Sequence, residues 1–262
     1  MAFKRLISYG MTVPFFLGFG LILVLFHPVL IIFHAFGKGD LAMYWLNFAL
    51  NRNAMIMAGM KYKLIFKDEL PSDRPLIVIS NHQGPFDITL IYEALARFKL
   101  KFIAKIELKR GIPSVSWVLR NLGSALIKRD DPRQSLTEIK AFGEKLEREK
   151  LAVLFFPEGT RAKDGVMKQF LAPGVISLLK ASPSALIVPA VIDGSWEIFR
   201  YKGWPVPFGS KVTIKILDPI EPSQHEIKEI TPLLESLLRA ELEALRREQG
   251  EIATNTRNSP AS

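Results

Sequence analysis

Residues 76–87 read LIVISNHQGPFD: a short apolar run, then a histidine and an aspartate five positions apart with a glycine and a proline between them. An apolar run of this length that stops at turn-forming residues is the pattern of a strand covered on both faces. The pattern recurs as KFIA (101–104), SALIK (124–128), LAVLFF (151–156), ALIVPAVI (185–192) and KVTIKI (211–216). Most of these runs are continuously apolar rather than alternating, as in a largely parallel sheet. Helical segments lie between them. In one, between 128 and 151, Asp131 can cap, Pro132 takes the first turn, and Leu136, Ile139, Phe142 and Leu146 fall near one face. Strands alternating with helices predict an α/β fold with a mostly parallel central sheet flanked by helices.

Outside this core the chain changes character. From Val13 to Phe36 there is no Asp, Glu, Lys or Arg, and as a helix the segment would extend ~36 Å against a hydrocarbon core of ~30 Å. Pro28 lies inside it, so a kinked or re-entrant anchor is as reasonable as a straight span. A signal peptide with Lys4 and Arg5 as its basic start is the competing reading, although the apolar run outlasts the usual core of ~7 to 15 residues. Asp40 to Met60 is aromatic-rich and sparsely charged, as an interfacial helix or a helix packed on the domain would be. Residues 1–60 therefore read as an N-terminal membrane anchor. Residues 223–250 form a C-terminal amphipathic helix with Ile227, Ile230, Leu234, Leu237, Leu238, Leu242 and Leu245 turned inward, and 251–262 a disordered tail.

The 262 residues allow one well-buried domain with an appendage. Hydrophobic residues make up 48% of the chain, and the absence of cysteine excludes disulfides, thiol nucleophiles and cysteine-ligated metals. A net charge of +9 calls for an anionic partner, whether phosphorylated metabolite, acidic lipid or nucleic acid. Nucleic acid is the weakest of these, because basic and aromatic residues do not interleave across the strands. No internal repeat, P-loop or G-x-S-x-G elbow occurs.

Five residues at 100° each would leave His82 and Asp87 ~140° apart on a regular helix, so a turn must lie between them. Gly84 and Pro85 favour a loop with a helix beginning near Asp87, which folds the carboxylate back towards the imidazole. Such a pair can act as a general base with its orienting acid. Alternatively, Asp87 caps the helix while Asn81 and His82 satisfy loop backbone. FFPEGTR (155–161) also leaves the end of an apolar strand, with Arg161 able to grip a phosphate and Glu158 to hold a hydroxyl or the arginine itself. Ligands of parallel sheets gather beyond the carboxyl ends of the strands. His82, Arg129 and Glu158 each follow such an end, which predicts a shared cleft. Lys101, Lys105, Lys109, Arg110, Arg120, Lys128 and Arg129 supply an anion site or a lipid-facing rim.

With these motifs in place the chain resembles the glycerolipid acyltransferase superfamily, most closely the 1-acyl-glycerol-3-phosphate acyltransferases. NHQGPFD (81–87) is similar to its histidine-x4-aspartate motif, AKIEL (104–108) with IKRD (127–130) to the second, FPEGTR (156–161) to the third and IVPAVI (187–192) to the fourth. The likeness covers residues 75 to 195, inside an acyltransferase domain expected at 61–222. It implies transfer of a fatty acyl group from acyl-CoA or acyl-carrier protein to the free hydroxyl of a lysophospholipid, usually lysophosphatidic acid, with neither metal nor cofactor. It also implies an enzyme held at the membrane with its catalytic domain on the cytoplasmic side. His82 would be the base and Asp87 its partner. Lys105, Arg129, Glu158, Gly159, Thr160 and Arg161 would bind substrate. Two departures stand out: Gly84 occupies a position where family members often carry serine, and the basic-then-glycine feature after the third motif is stretched to KQFLAPG (168–174). Lysophospholipids with other head groups, thioester or ester hydrolysis by the same histidine, and a non-catalytic binding module remain competing readings.

Overall fold

The computed structural model describes residues 2–66 and 69–258. Its strands are β1 (Lys61–Phe66), β2 (Leu76–Ser80), β3 (Lys101–Lys105), β4 (Ala125–Ile127), β5 (Ala152–Phe155), β6 (Leu186–Asp193) and β7 (Lys211–Ile216). Its helices are α1 (Ala2–Ala35), α2 (Gly39–Met57), α3 (Phe86–Ala94), α4 (Val115–Asn121), α5 (Pro132–Glu149), α6 (Ala172–Ala181) and α7 (Ile227–Asn258). The strands form one seven-stranded sheet in the order β1-β7-β6-β2-β5-β3-β4. Every neighbouring pair is parallel except β6 with β7.

The pleat divides each central strand between two cores. Leu76 and Val78 of β2 and Leu154 of β5 point to the side covered by α1 to α4. Ile77 and Ile79, with Val153 and Phe155, point to the side covered by α5, α6 and α7. Both faces are apolar because both are covered, which is why these strands read as unbroken hydrophobic runs. The predicted strands and the α5 helix appear within a residue or two of their expected limits, and the Asp131 side chain accepts from the Gln134 amide as the capping pattern requires. β1 was not among the expected strands. It is an edge strand with no fully buried residue, and its lysines at 61 and 63 interrupt the apolar signal.

α1 is one continuous helix through Pro14 and Pro28, so of the forms the sequence left open the re-entrant loop is not the one adopted. Along its length it buries Phe15, Leu23 and Leu30 in the core shared with α2 and the sheet. Polar contacts fix it further. The Val206 amide donates to Thr12 Oγ1 and the Phe208 amide to Ser8 Oγ, each at 2.9 Å. Asn53 of α2 donates to the Phe15 carbonyl at 3.0 Å, and the Ser114 amide to His27 Nδ1 at 3.0 Å. A cleaved leader would leave this core uncovered. At the other end α7 extends to Asn258, where the sequence reading begins a disordered tail at 251. The residues EIATNTRN contain neither glycine nor proline, so nothing in them stops the helix; residues 259–262 lie outside the described residues.

Gly194 sets how the chain leaves β6. Its φ is +88°, and a methyl group there would run into the Lys211 carbonyl oxygen of β7. Gly194→Ala is expected to lower unfolding stability by about 2 kcal/mol or more through left-handed strain and overpacking, read by thermal or denaturant unfolding in detergent.

Candidate active site

β2, β6, β5, β3 and β4 run parallel, so their carboxyl ends open on one edge of the sheet, and the chemistry-bearing residues emerge there. Asn81, just beyond β2, locks that strand to β6: its amide donates to the Ile192 carbonyl at 2.8 Å and accepts from the Ile192 amide at 2.9 Å. A side chain thus continues the sheet ladder past its end and fixes where the next residue, His82, projects.

The main chain of His82 is held from both sides by the 158–168 loop. Its amide donates to Glu158 Oε1 at 2.7 Å, and its carbonyl accepts from the Ala162 amide at 2.7 Å. Glu158 Oε2 accepts from the Lys168 amide at 2.8 Å, so this buried carboxylate staples two backbone segments. Burial pushes the Glu158 carboxyl up from its ordinary range, and the amide bonds from Lys168 and His82 pull against that rise.

The imidazole stacks on Phe156, with ring centroids 4.0 Å apart and planes 15° from parallel. Nδ1 lies 2.8 Å from Asp87 Oδ2. The same carboxylate oxygen accepts from the Gln83 amide at 2.5 Å and the Gly84 amide at 2.9 Å. Asp87 therefore does not cap α3; it turns back on the loop before it, as the Gly84–Pro85 turn permits. A carboxylate on Nδ1 makes that nitrogen the donor and leaves Nε2 as the acceptor. His82 lines a basic cleft of about 750 Å³.

That cleft also contains Lys105, Arg129, Thr160, Arg161, Lys163 and Lys168. Lys105 pairs with Glu107 at 3.1 Å, and Lys168 Nζ donates to Thr160 Oγ1 at 2.7 Å. Gly159 makes the turn between Glu158 and Thr160 at a φ of +68°. Burial, then the charge of Arg161, pulls the Arg129 guanidinium down from its ordinary value, though not out of its charged form at neutral pH. Two arginines that repel one another across a cleft form a site that an anion relieves. Of the wider basic set, Lys101 is committed to Asp40 at 2.7 Å, and Arg120 donates to the Lys109 carbonyl. Lys163 and Lys168 were outside the predicted site; Lys168 lies seven positions beyond Arg161, and only the fold of the loop brings it back.

A second cavity, about 240 Å³ and almost wholly apolar, lies between α1, α2 and α3, with Phe19, Leu23, Met43, Leu46, Phe86 and Leu119 in its walls. It shares Ile88, Ala104, Leu108 and Arg161 with the basic cleft. The two volumes therefore meet beside the His82 loop, one suited to hydrocarbon and the other to phosphate.

Known proteins share this chain's sequence pattern and fold. The family model described as Acyltransferase matches residues 61–193. The 1-acyl-sn-glycerol-3-phosphate acyltransferase LPAT1 of Arabidopsis thaliana chloroplasts is 32% identical over 161 residues, covering 61% of this chain and 44% of that protein. The human 1-acyl-sn-glycerol-3-phosphate acyltransferase beta is 28% identical over 182 residues, covering 70% and 64%. The chain thus spans about half the length of the curated relatives it matches. The crystal structure of the 1-acyl-sn-glycerophosphate acyltransferase PlsC from Thermotoga maritima superposes with a TM-score of 0.72 at 24% identity, covering 93% of this chain and 98% of that one. It shares the fold.

Glu158→Gln would turn an amide NH2 towards one of the two backbone amides that Glu158 now accepts. The expected result is a loss of about 1–3 kcal/mol in unfolding stability, measured by denaturant titration in detergent.

Proposed function

The chain belongs to the acyltransferase family, and from that premise we propose that it moves a fatty acyl group from an acyl thioester to the free hydroxyl of 1-acyl-glycerol-3-phosphate, forming phosphatidic acid. The observation that carries this reading is the junction of the two cavities beside His82: an amphiphile can lie with hydrocarbon in one and phosphate in the other. Its reacting group then falls next to the imidazole.

Nε2 of His82 removes the hydroxyl proton as that oxygen attacks the thioester carbonyl. The tetrahedral intermediate collapses, the carbon–sulfur bond breaks, and the departing thiolate takes the proton back from the imidazolium. Asp87 fixes the tautomer and stabilises the transient positive charge. Arg129 and Arg161 hold the phosphate, with Lys105, Lys163 and Lys168 adding to the field. Glu158 and Gly159 shape the loop, and Thr160 orients Lys168. General-base help of this kind is worth ~10² to 10⁴-fold, and positioning of the two reactants ~7 to 11 kcal/mol, so the walls of the two cavities carry the larger share. The acyl donor, whether acyl-CoA or acyl-carrier protein, brings its thioester to the same junction.

The outer stripe of α1, including Val13, Leu17, Leu21, Val24, Leu25 and Ile32, is exposed, while the opposite side packs on the domain from Ser8 to Leu30. A helix with protein along one flank and apolar surface along the other suits a seat on the bilayer surface better than a free span. Lys4 and Arg5 near one end and Lys38 beyond the other place basic residues at both ends, in keeping with both ends and the catalytic domain facing the cytoplasm.

His82→Ala is expected to reduce kcat ~10² to 10⁴-fold with the fold intact, measured as phosphatidic acid formed from acyl-CoA and lysophosphatidic acid; near-normal turnover by the folded variant would remove the mechanism. Arg161→Lys keeps the charge but loses the forked contact, and should raise KM for lysophosphatidic acid about tenfold, the equivalent of ~1.4 kcal/mol. Because the chain has no cysteine, single cysteines at Arg5 and Lys38 can be labelled separately. A membrane-impermeant thiol reagent should reach both from the same side of sealed vesicles, whereas a spanning helix would expose them on opposite sides.

A further inference from the structure

Asp87 has two carboxylate oxygens, and the histidine loop uses only one of them. Oδ2 takes the bonds from His82 and from the Gln83 and Gly84 amides. Oδ1 points to the far side of the loop, where Ser195 Oγ donates to it. Both side chains are wholly buried, so water does not replace that donor. Ser195 lies over a hundred positions along the chain and comes from a different strand end.

The fold delivers it deliberately. β6 lies beside β2 in the sheet, Asn81 ties the ends of the two strands together through the Ile192 backbone, and Gln83 donates to Asp193 at 3.3 Å. Gly194 then makes a turn that only glycine can make without meeting the Lys211 carbonyl. Ser195 opens the 3₁₀ turn Ser195–Phe199 with its hydroxyl aimed at Asp87. On the other side, Gly84 leaves room for this segment: a Cβ at 84 would stand 3.0 Å from the Ser195 carbonyl oxygen and 3.6 Å from its hydroxyl. The Ser195 segment thus occupies the space beside position 84 that a side chain there would need.

We propose that Ser195 is a positioning residue of the His82–Asp87 pair, its hydroxyl clamping Oδ1 so that Oδ2 stays directed at the imidazole. A carboxylate held at one oxygen alone can swing about its Cβ–Cγ bond, and the amides of residues 83 and 84 would then compete with the imidazole for whichever oxygen faces them. With both oxygens engaged the plane of the group is set. Ser195 does not touch substrate; it acts through Asp87 on the tautomer and orientation of His82.

This inference rests on the acyl-transfer reading for its kinetic test, so a second measurement is independent of turnover. In the full chain in detergent–lipid micelles, Ser195→Ala should lower kcat roughly 10- to 100-fold, within the ~10² to 10⁴-fold that the base supplies, and leave KM for lysophosphatidic acid and acyl-CoA within about twofold. Ser195→Thr, which keeps the hydroxyl, should recover most of the rate. In a His82→Ala background the same Ser195→Ala change should have no further effect, because the group it orients is gone. The turnover-free arm follows the downfield proton resonance of His82 Nδ1–H, expected to shift upfield or broaden in Ser195→Ala and to persist in Ser195→Thr. If Ser195→Ala does not fold, Ser195→Cys, similar in size but a weak donor, is expected to give the same kinetic and spectroscopic changes in smaller measure. An unchanged kcat and resonance in the folded variant, or an equal loss of rate in the His82→Ala background, overturns the proposal. A wild-type protein that transfers no acyl group but shows the resonance change would instead overturn the functional reading and leave the clamp standing.

Discussion

The backbone of His82 is gripped on both sides by one loop, its amide by the Glu158 carboxylate and its carbonyl by the Ala162 amide, and the geometry of the site follows from that grip. Each bond joins the end of β2 to the loop after β5, two strands that are neighbours in the sheet. The histidine loop and the arginine-bearing loop therefore cannot move independently. Burying a carboxylate to achieve this is costly, which is why both Glu158 oxygens meet amide donors. Further from the centre, α7 steadies the same loop: Arg239 donates to the Met167 carbonyl, Arg246 to the Gly165 carbonyl, and Glu235 accepts from the Phe170 amide. A helix on one face of the sheet thereby supports a loop whose other end meets α1 to α4 through Arg161 and the apolar cavity.

The two cavities share a wall and differ in nearly every physical respect. One is lined almost wholly by apolar side chains and offers mainly dispersion and hydrophobic contact. The other gathers the positive charges of Arg129, Arg161, Lys105, Lys163 and Lys168 around one cleft, whose summed field attracts an anion. A molecule with a fatty chain and a phosphate gains from both only if it lies across the junction. α1 carries the exposed apolar stripe and also lends Phe19 and Leu23 to the wall of the apolar cavity.

Much of this was legible in the sequence because it rests on local chemistry. The buried strands announce themselves as unbroken apolar runs, Asp131 and Pro132 open α5 as their types require, and Gly84–Pro85 between His82 and Asp87 forces the turn that brings the pair to 2.8 Å. What escaped depends on distance along the chain. β1 is an edge strand whose lysines hide its period. Lys168 reaches the cleft only because its loop doubles back, and Lys163 lies in the same loop. Phe156 stacks on His82 from the end of another strand. Glu158 read as a ligand to a hydroxyl or to Arg161, whereas in the fold its oxygens face backbone amides; nothing in PEGTR distinguishes a carboxylate that faces outward from one that faces in. The tail was expected to be disordered from residue 251, and its composition, free of helix breakers up to Asn258, lets α7 continue.

The central claim is that the acceptor lies across the junction with its hydroxyl at Nε2 of His82. An experimental structure of the protein with lysophosphatidic acid bound tests it most directly. The account predicts the phosphate against Arg129 and Arg161, the chain in the cavity between α1, α2 and α3, and the free hydroxyl within about 3.2 Å of Nε2. A phosphate seated away from both arginines, or a hydroxyl turned from the imidazole with the chain outside that cavity, would contradict it.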